Sequence, residues 1–405
     1  LIPRHLAEPL RVAAARYPVV TLTGPRQSGK TTLARAVFPD HSYVSLELPD
    51  ERDFALTDPR GFLGRFTRPV ILDEVQRTPD LFSYIQVLVD EEDLPGRFIL
   101  TGSQNFLLLD KVSQSLAGRS AIHHLLPLSI GELARRPHPG LDDLGEPLPP
   151  RPPSTSPPGE PPPKDLEATL FGGFYPRIHD KALPPRDWLA NYHQTYLERD
   201  VRQVLQVGDL EAFARFVGLC AGRNAQVLNV SGLASDAGVS HTTARRWLSV
   251  LETSFVITLL RPYHRNFGKR LIKSPKLYFL DTGLLCYLLG VRAPEELHVH
   301  ASRGAIFESL VVSEICKRFH HHGERPALWF WRDAAGHEVD AVVDLGARTI
   351  TVEAKSARTV VDGFFKGLSR WRELAGDAAI SSVVVYGGDD ARVQRGVIVR
   401  PWWTL

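Results

Sequence analysis

Methionine is absent from all 405 residues, position 1 included, and nothing physical in the sequence accounts for it. Cysteine is nearly absent. Cys220, Cys286 and Cys316 are odd in number, far apart and set mostly among apolar neighbours, which argues against a disulfide framework or a zinc site and for reduced core thiols. Long apolar runs are missing as well. None nears the roughly 18 residues that a membrane-spanning helix needs, and the opening stretch LIPRHLAEPL lacks the basic start and apolar segment of a signal peptide. A cytoplasmic location with no membrane partner is the expectation. Net charge is small, +2, which by itself predicts no nucleic-acid binding but can hide a basic patch beside acidic regions. What is present, 43% hydrophobic and 23% charged residues, matches soluble globular proteins and excludes global disorder; the length fits several domains.

Proline marks the main division. Residues 137–163 hold twelve of the 31 prolines, a composition that cannot continue a helix or supply sheet hydrogen bonds, so 137–165 reads as a linker or exposed loop. It is either a plain spacer or a docking site for a proline-binding partner. Before it, apolar β-rich segments (19–23, 43–46, 70–72, 98–101, 121–125) alternate with helical ones, the pattern of an α/β layer with a parallel sheet. After it come helices, a short hairpin, one long helix and several strands.

The segment Val19–Thr23 runs into Gly24-Pro25-Arg26-Gln27-Ser28-Gly29-Lys30-Thr31, which matches GxxxxGK[ST] throughout, and Thr32 continues the helix that follows. Backbone N–H groups of such a loop close around phosphate oxygens, Lys30 neutralises β/γ charge, and Thr31 supplies a magnesium ligand. The expected ligands are therefore ATP and Mg2+. Further on, the strand Val70–Leu72 ends in Asp73-Glu74. Asp73 is expected to hold the magnesium and Glu74 to orient and deprotonate the attacking water. A third strand ending at Thr101 leads to Gly102-Ser103-Gln104-Asn105, whose polar groups are candidates for the γ-phosphate or the water. Arg119 ends a helix-like segment just before the 121–125 strand, where it is either a finger reaching a neighbour's γ-phosphate or a helix-dipole partner.

GPRQSGKTTL, VILDEVQ, ILTGSQNFLL and SLAGRS resemble a prokaryotic group that joins an AAA-type ATPase domain to a C-terminal domain of unknown function. The segments Phe171–Pro176 and Tyr196–Val201 resemble it too, and the proline tract looks like an insertion. The resemblance implies an α/β P-loop fold over 1–136 and ATPase activity. A trans-acting Arg119 adds a homo-oligomeric ring, with six the expected number.

A helical lid is expected over 166–206 and a winged helix over 207–300. Leu233–Leu248 has the rhythm of a helix-turn-helix, broken at Gly238 and capped by Ser240, with Ala244, Trp247, Leu248 and Leu251 inward and His241, Thr242, Arg245 and Arg246 outward. Residues 254–262 and 275–281 are candidate wing strands. Between 241 and 276 lie Arg245, Arg246, Arg261, Arg265, Lys269, Arg270, Lys273 and Lys276 against Glu252 alone, a formal +7 with Tyr263 and Phe267 interleaved. That concentration suits a DNA phosphate backbone, duplex or branched; a protein-contact role is the alternative.

Residues 301–405 suggest a metal site. In 337–357 a Gly346-Ala347 turn that places Leu345 opposite Arg348 also places Asp340 opposite Glu353 and Glu338 opposite Lys355, all on one face. Asp340 and Glu353 are candidate magnesium ligands, Lys355 a candidate water-positioning group, and Glu308, on an upstream amphipathic helix, a further metal-side carboxylate. The order resembles the restriction-endonuclease-like fold, although Val339 stands where the proline of that motif's name would be. Cross-strand salt bridges are the plainer alternative. The His320–His322 run is expected in an exposed loop.

Overall fold

The structure, a computed structural model, describes residues 2–92, 94–102, 115–148, 165–196, 210–263, 274–376 and 380–405. Ser103, Gln104, Asn105, Arg265, Phe267, Lys269, Arg270 and Lys273, residues 197–201 and the proline tract from 149 to 164 lie outside them. The chain forms two units: Leu1–Leu128 with Thr253–Phe255 and His320–Glu324, and the remainder.

In the first unit the apolar runs become a parallel sheet: β1 (Val19–Thr23), β2 (Ser42–Ser45), β3 (Val70–Asp73), β4 (Phe98–Thr101) and β5 (Ser120–His124), in the order β2-β3-β4-β1-β5. β1, β3 and β4 are buried along their whole length, which is why they read as continuous rather than alternating apolar runs. Strand alternation sorts their side chains to two faces. Val19, Leu72 and Leu100 pack with Phe82 and Ile85 of the helix Leu81–Glu92, whereas Val20, Leu22, Ile71 and Ile99 pack with Leu10 of Ala7–Ala14 and Leu33 of Lys30–Val37. Because β4 lies between β1 and β3, the C-terminal edge of the sheet opens a crevice there, the usual ligand position in such sheets.

The second unit contains the helix-turn-helix, Val230–Ala237 then His241–Thr253, with Gly238 left-handed at φ 72° between them. Ser240 caps the second helix, accepting from the Thr243 N–H at 3.0 Å, and Ala244, Trp247, Leu248 and Leu251 are buried. β6 (Gln226–Val227), β7 (Ile257–Leu260) and β8 (Lys276–Phe279) form the wing sheet in the order β6-β8-β7, so β8 is central. The C-terminal part runs from the helix Arg303–His321 through β9 (Leu328–Arg332), β10 (Glu338–Asp344), β11 (Thr349–Lys355), the crossover helix Lys366–Ala375 and β12 (Ile380–Tyr386), to β13 (Arg392–Gln394) and β14 (Val397–Pro401). Its mixed sheet has the order β13-β14-β12-β11-β10-β9.

Three expectations need correction. Residues 137–148 are not a free linker: Leu144 is buried, and the carbonyls of Asp143 and Leu144 each accept from Arg400 at 2.9 Å, tying the segment to β14. Tyr263 is no groove contact, because its ring packs in the core with Trp331 and Trp371 and its hydroxyl donates to Asp344 at 2.9 Å. His320 and His321 are buried rather than exposed: His320 meets the His124 ring edge-on and His321 meets that of His5, each with centroids 5.2 Å apart.

Candidate functional site

The phosphate loop leaves β1 at Gly24, where φ is 147° and an added Cβ would stand 2.2 Å from the Leu125 carbonyl oxygen, so only glycine fits. The loop closes on itself. The Lys30 ammonium, buried, donates to the carbonyls of Gly24 at 3.1 Å and Pro25 at 2.8 Å, holding the position of a phosphate-facing cation. Ser28 Oγ is buried and makes no hydrogen bond among the described residues, an orphaned polar atom within the loop. Arg4 braces it from outside, donating to the Ser28 carbonyl and to the Leu126 carbonyl, both at 2.7 Å.

Asp73 gathers hydroxyls. Thr31 donates to its two oxygens at 3.0 and 3.1 Å, Tyr43 donates at 3.0 Å, and Thr101 donates from the end of β4. Burial first, and then the Asp73 carboxylate, push the Tyr43 phenol up to about 12. Thr31 and Asp73 are thus within hydrogen-bond reach across the crevice, a hard-oxygen donor set that fits Mg2+. The next residue, Glu74, is left-handed at φ 57° and takes a hydrogen bond from the Gln76 amide. Non-glycine residues rarely adopt that backbone, and it turns Glu74 out of the strand that carries Asp73.

Arg119 forms a two-pronged ion pair with Asp90 of its own chain, on the exposed side of the helix Leu81–Glu92. Its carbonyl accepts from the Val19 N–H, which puts it at the starting edge of the sheet while the phosphate loop leaves the finishing edge. In the second unit His241, Thr242, Arg245 and Arg246 are all exposed on the second helix of the helix-turn-helix.

The C-terminal hairpin has the expected register: Ala341 faces Val352, Asp344 faces Thr349, and the Leu345 N–H donates to Arg348 across a turn in which Gly346 has φ 78°. Asp340 and Glu353 therefore approach each other. Lys355 Nζ lies 2.6 Å from Glu353 Oε1 and 3.9 Å from Asp340 Oδ2, while Asp340 Oδ2 also accepts from the Ala354 N–H at 2.9 Å. Glu308 arrives from its helix, accepting from Tyr278 at 2.6 Å. Burial, reinforced by Asp340, pushes the Glu308 carboxyl up to about 7 and that of Glu353 up to about 8.

One group changes the chemistry of this cluster. Lys276, counted from sequence among the DNA-facing cations, is instead buried, 2.9 Å from Glu308, ion-paired with Glu338 and 4.0 Å from Asp340. Burial opposes its charge, but Glu308, Asp340 and Glu338 together hold the ammonium protonated well above its ordinary range. The cation position beside Glu308 and Asp340 is filled by the chain's own ammonium, while Lys355 stands at the Asp340 and Glu353 pair expected to bind magnesium. Nothing in the linear sequence points to Lys276, Tyr43, Thr101 or Arg4, since each meets its partners from a distant segment.

The loop, the Asp73 cluster and the strand order define a P-loop ATPase of the AAA type, which binds nucleotide and typically Mg2+. A model described as AAA domain matches residues 16–134, and two domains of unknown function, DUF8612 and DUF4143, match 163–295 and 303–405. The chain is 33% identical over 357 residues to Uncharacterized protein Rv2008c of Mycobacterium tuberculosis and, equally, to Uncharacterized protein Mb2031c of Mycobacterium bovis, covering 88% of this chain and 74% of each relative. It belongs to their family, prokaryotic AAA-type ATPases with C-terminal domains of unknown function. Among solved structures it is similar to the Walker-type ATPase PABY2304 of Pyrococcus abyssi, at 15% identity and TM-score 0.44, covering 71% of this chain and 96% of that one. It is also similar to the RuvB Holliday junction branch migration motor of Thermotoga maritima, at 18% identity and TM-score 0.29, covering 63% and 87%. Among the described residues no helix is long and apolar enough to cross a membrane.

Proposed function

We propose that this protein is a magnesium-dependent ATPase that assembles as a ring, six-membered by expectation, and uses hydrolysis to remodel duplex or branched DNA in the cytoplasm. The observation that carries the reading is the convergence of Thr31, Tyr43 and Thr101 on Asp73 beside Lys30 and Glu74. Loop N–H groups from Gly24 to Thr32 and the Lys30 ammonium cradle the phosphates. Thr31 and Asp73 would hold magnesium, which would supply positive charge to offset that of the phosphates. Glu74 accepts the proton of the attacking water. Arg119 of a neighbouring subunit supplies the guanidinium at the γ-phosphate.

DNA contact rests on a separate observation, the exposure of His241, Thr242, Arg245 and Arg246 on a capped helix whose other face is core. Arg265, Lys269 and Arg270, outside the described residues, extend the same basic segment. The competing reading is an ATP-gated regulator that binds DNA or protein without moving along it. A branch-migration or strand-displacement assay with and without ATP separates the two: ATP-dependent product supports the motor, and DNA binding without product supports the regulator. A further competing reading is an ATP-regulated, metal-dependent DNA nuclease at Asp340, Glu353 and Lys355, against which stands the Lys276 ammonium beside Glu308 and Asp340.

A further inference from the structure

We propose that the Lys276 ammonium is the resident cation of the Glu308, Glu338 and Asp340 cluster, and that removing it converts the cluster into a divalent-cation site. This inference stands apart from ATP hydrolysis. The three acids come from two elements, the helix Arg303–His321 and β10, and each offers an oxygen within 4.8 Å of the others. That spacing suits one ion bound at about 2.0–2.6 Å per oxygen. Three carboxylates brought this close repel one another unless a cation lies among them. Lys276 supplies it, with 4% of its side chain exposed.

An ordinary surface lysine would swing aside for a metal ion, but Lys276 is anchored. It opens β8, the central strand of the wing sheet, paired to Val227 on one side and Leu260 on the other, which fixes its Cα beside the acids, and its side chain is too buried to turn out to solvent. The site nevertheless retains unspent acidity. Glu353 keeps its second oxygen, Oε2, buried and without a hydrogen bond among the described residues, although Oε1 is paired with Lys355. Two further cations stand at the rim, Lys355 against Glu353 and 3.9 Å from Asp340, and Arg332 against Glu338, but of the three it is Lys276 that pairs with Glu308, at 2.9 Å. Truncating Lys276 to an uncharged side chain therefore leaves preformed oxygen ligands with unbalanced charge.

The test is a Mn2+ titration of the full nucleotide-free chain, followed by electron paramagnetic resonance, comparing wild type with Lys276→Met, Lys276→Arg, Asp340→Asn and Lys276→Met/Asp340→Asn. Lys276→Met is expected to bind one Mn2+ more than wild type, at least tenfold more tightly than any binding wild type shows there. The extra site should vanish in the double variant and stay absent in Lys276→Arg, which keeps the charge. A folded Lys276→Met with no added Mn2+ overturns the proposal, as does a wild-type Mn2+ site lost on Asp340→Asn alone. Should Lys276→Met be too unstable to isolate in chelator, melting with and without Mn2+ decides: a rise in Tm specific to that variant supports the inference, and no rise overturns it.

Discussion

In the proposed mechanism Lys30, Asp73 and Glu74 divide the ATPase work by charge and position, and their substitutions should fail differently. Lys30→Ala removes the buried ammonium that faces the phosphates, so nucleotide binding itself should be lost in a fluorescent-nucleotide titration. Glu74→Gln keeps the side chain's shape and removes the base; binding should persist while turnover falls by about 100-fold or more, in line with general-base catalysis. Equal hydrolysis by wild type and Lys30→Ala would mean the nucleotide sits elsewhere. The phosphate loop was legible in sequence because it is contiguous and its spacing is set by phosphate geometry, and Asp73-Glu74 because they end an apolar strand. Tyr43 and Thr101 were not, because only the parallel sheet brings them to Asp73. Lys276 was misread for the opposite reason: a cation near other cations in sequence lies among acids in space.

Buried histidines give the β5 strand a pH dependence of its own. His123 is lowered to about 4 by burial, and burial likewise depresses His320, aided by His124, His321 and His123. Both are neutral in the fold at neutral pH. Between about 6.5 and 4 the unfolded chain takes up protons that the folded His123 refuses. Its contribution to stability is therefore complete above 6.5 and drains as pH falls through that window, at up to about 1.4 kcal/mol per pH unit per histidine. His123→Leu should flatten the pH dependence of urea unfolding there, and an unchanged slope would show that His123 is solvated. The second helix of the helix-turn-helix carries a different test. If the proposed DNA contact holds, neutralising Arg245 and Arg246 removes two phosphate contacts, and the slope of log binding constant against log salt should shallow by about 2 on duplex DNA. Identical slopes would move this module to protein contact. Both this helix and the C-terminal hairpin were readable because their signals are local: Ser240 as cap, a 3.6-residue apolar face, and a Gly346 turn that sets register. The packing of 137–148 was not, since the carbonyl partner, Arg400, lies more than 250 residues away in sequence and proline-rich composition speaks only against regular structure.

On the proposed reading, Arg119 connects the single chain to an assembly. It lies at the starting edge of the sheet, and the phosphate loop leaves the finishing edge after the five residues of β1, a span of about 16 Å at the usual rise per residue. A guanidinium so placed cannot serve its own phosphates, whereas it lies on a surface that a head-to-tail neighbour could meet. Its pairing with Asp90 is exposed, and exposed ion pairs are weakly held and screened by salt, so Arg119 can be surrendered to a stronger anion when a neighbour docks. The consequence is a complementation that no monomeric enzyme can show. Arg119→Ala alone should bind ATP and fail to hydrolyse it, and Glu74→Gln alone should do the same for the opposite reason. In a ring assembled from equal amounts of the two, about a quarter of the interfaces join an intact Glu74 to a neighbour's intact Arg119, each being present half the time. Hydrolysis should recover toward that fraction after subunit exchange and not before it, measured by phosphate release against the mixing time. If the mixture stays as inactive as either parent while exchange is demonstrated by fluorescence transfer between labelled subunits, Arg119 does not act across an interface, and its pairing with Asp90 is its whole role.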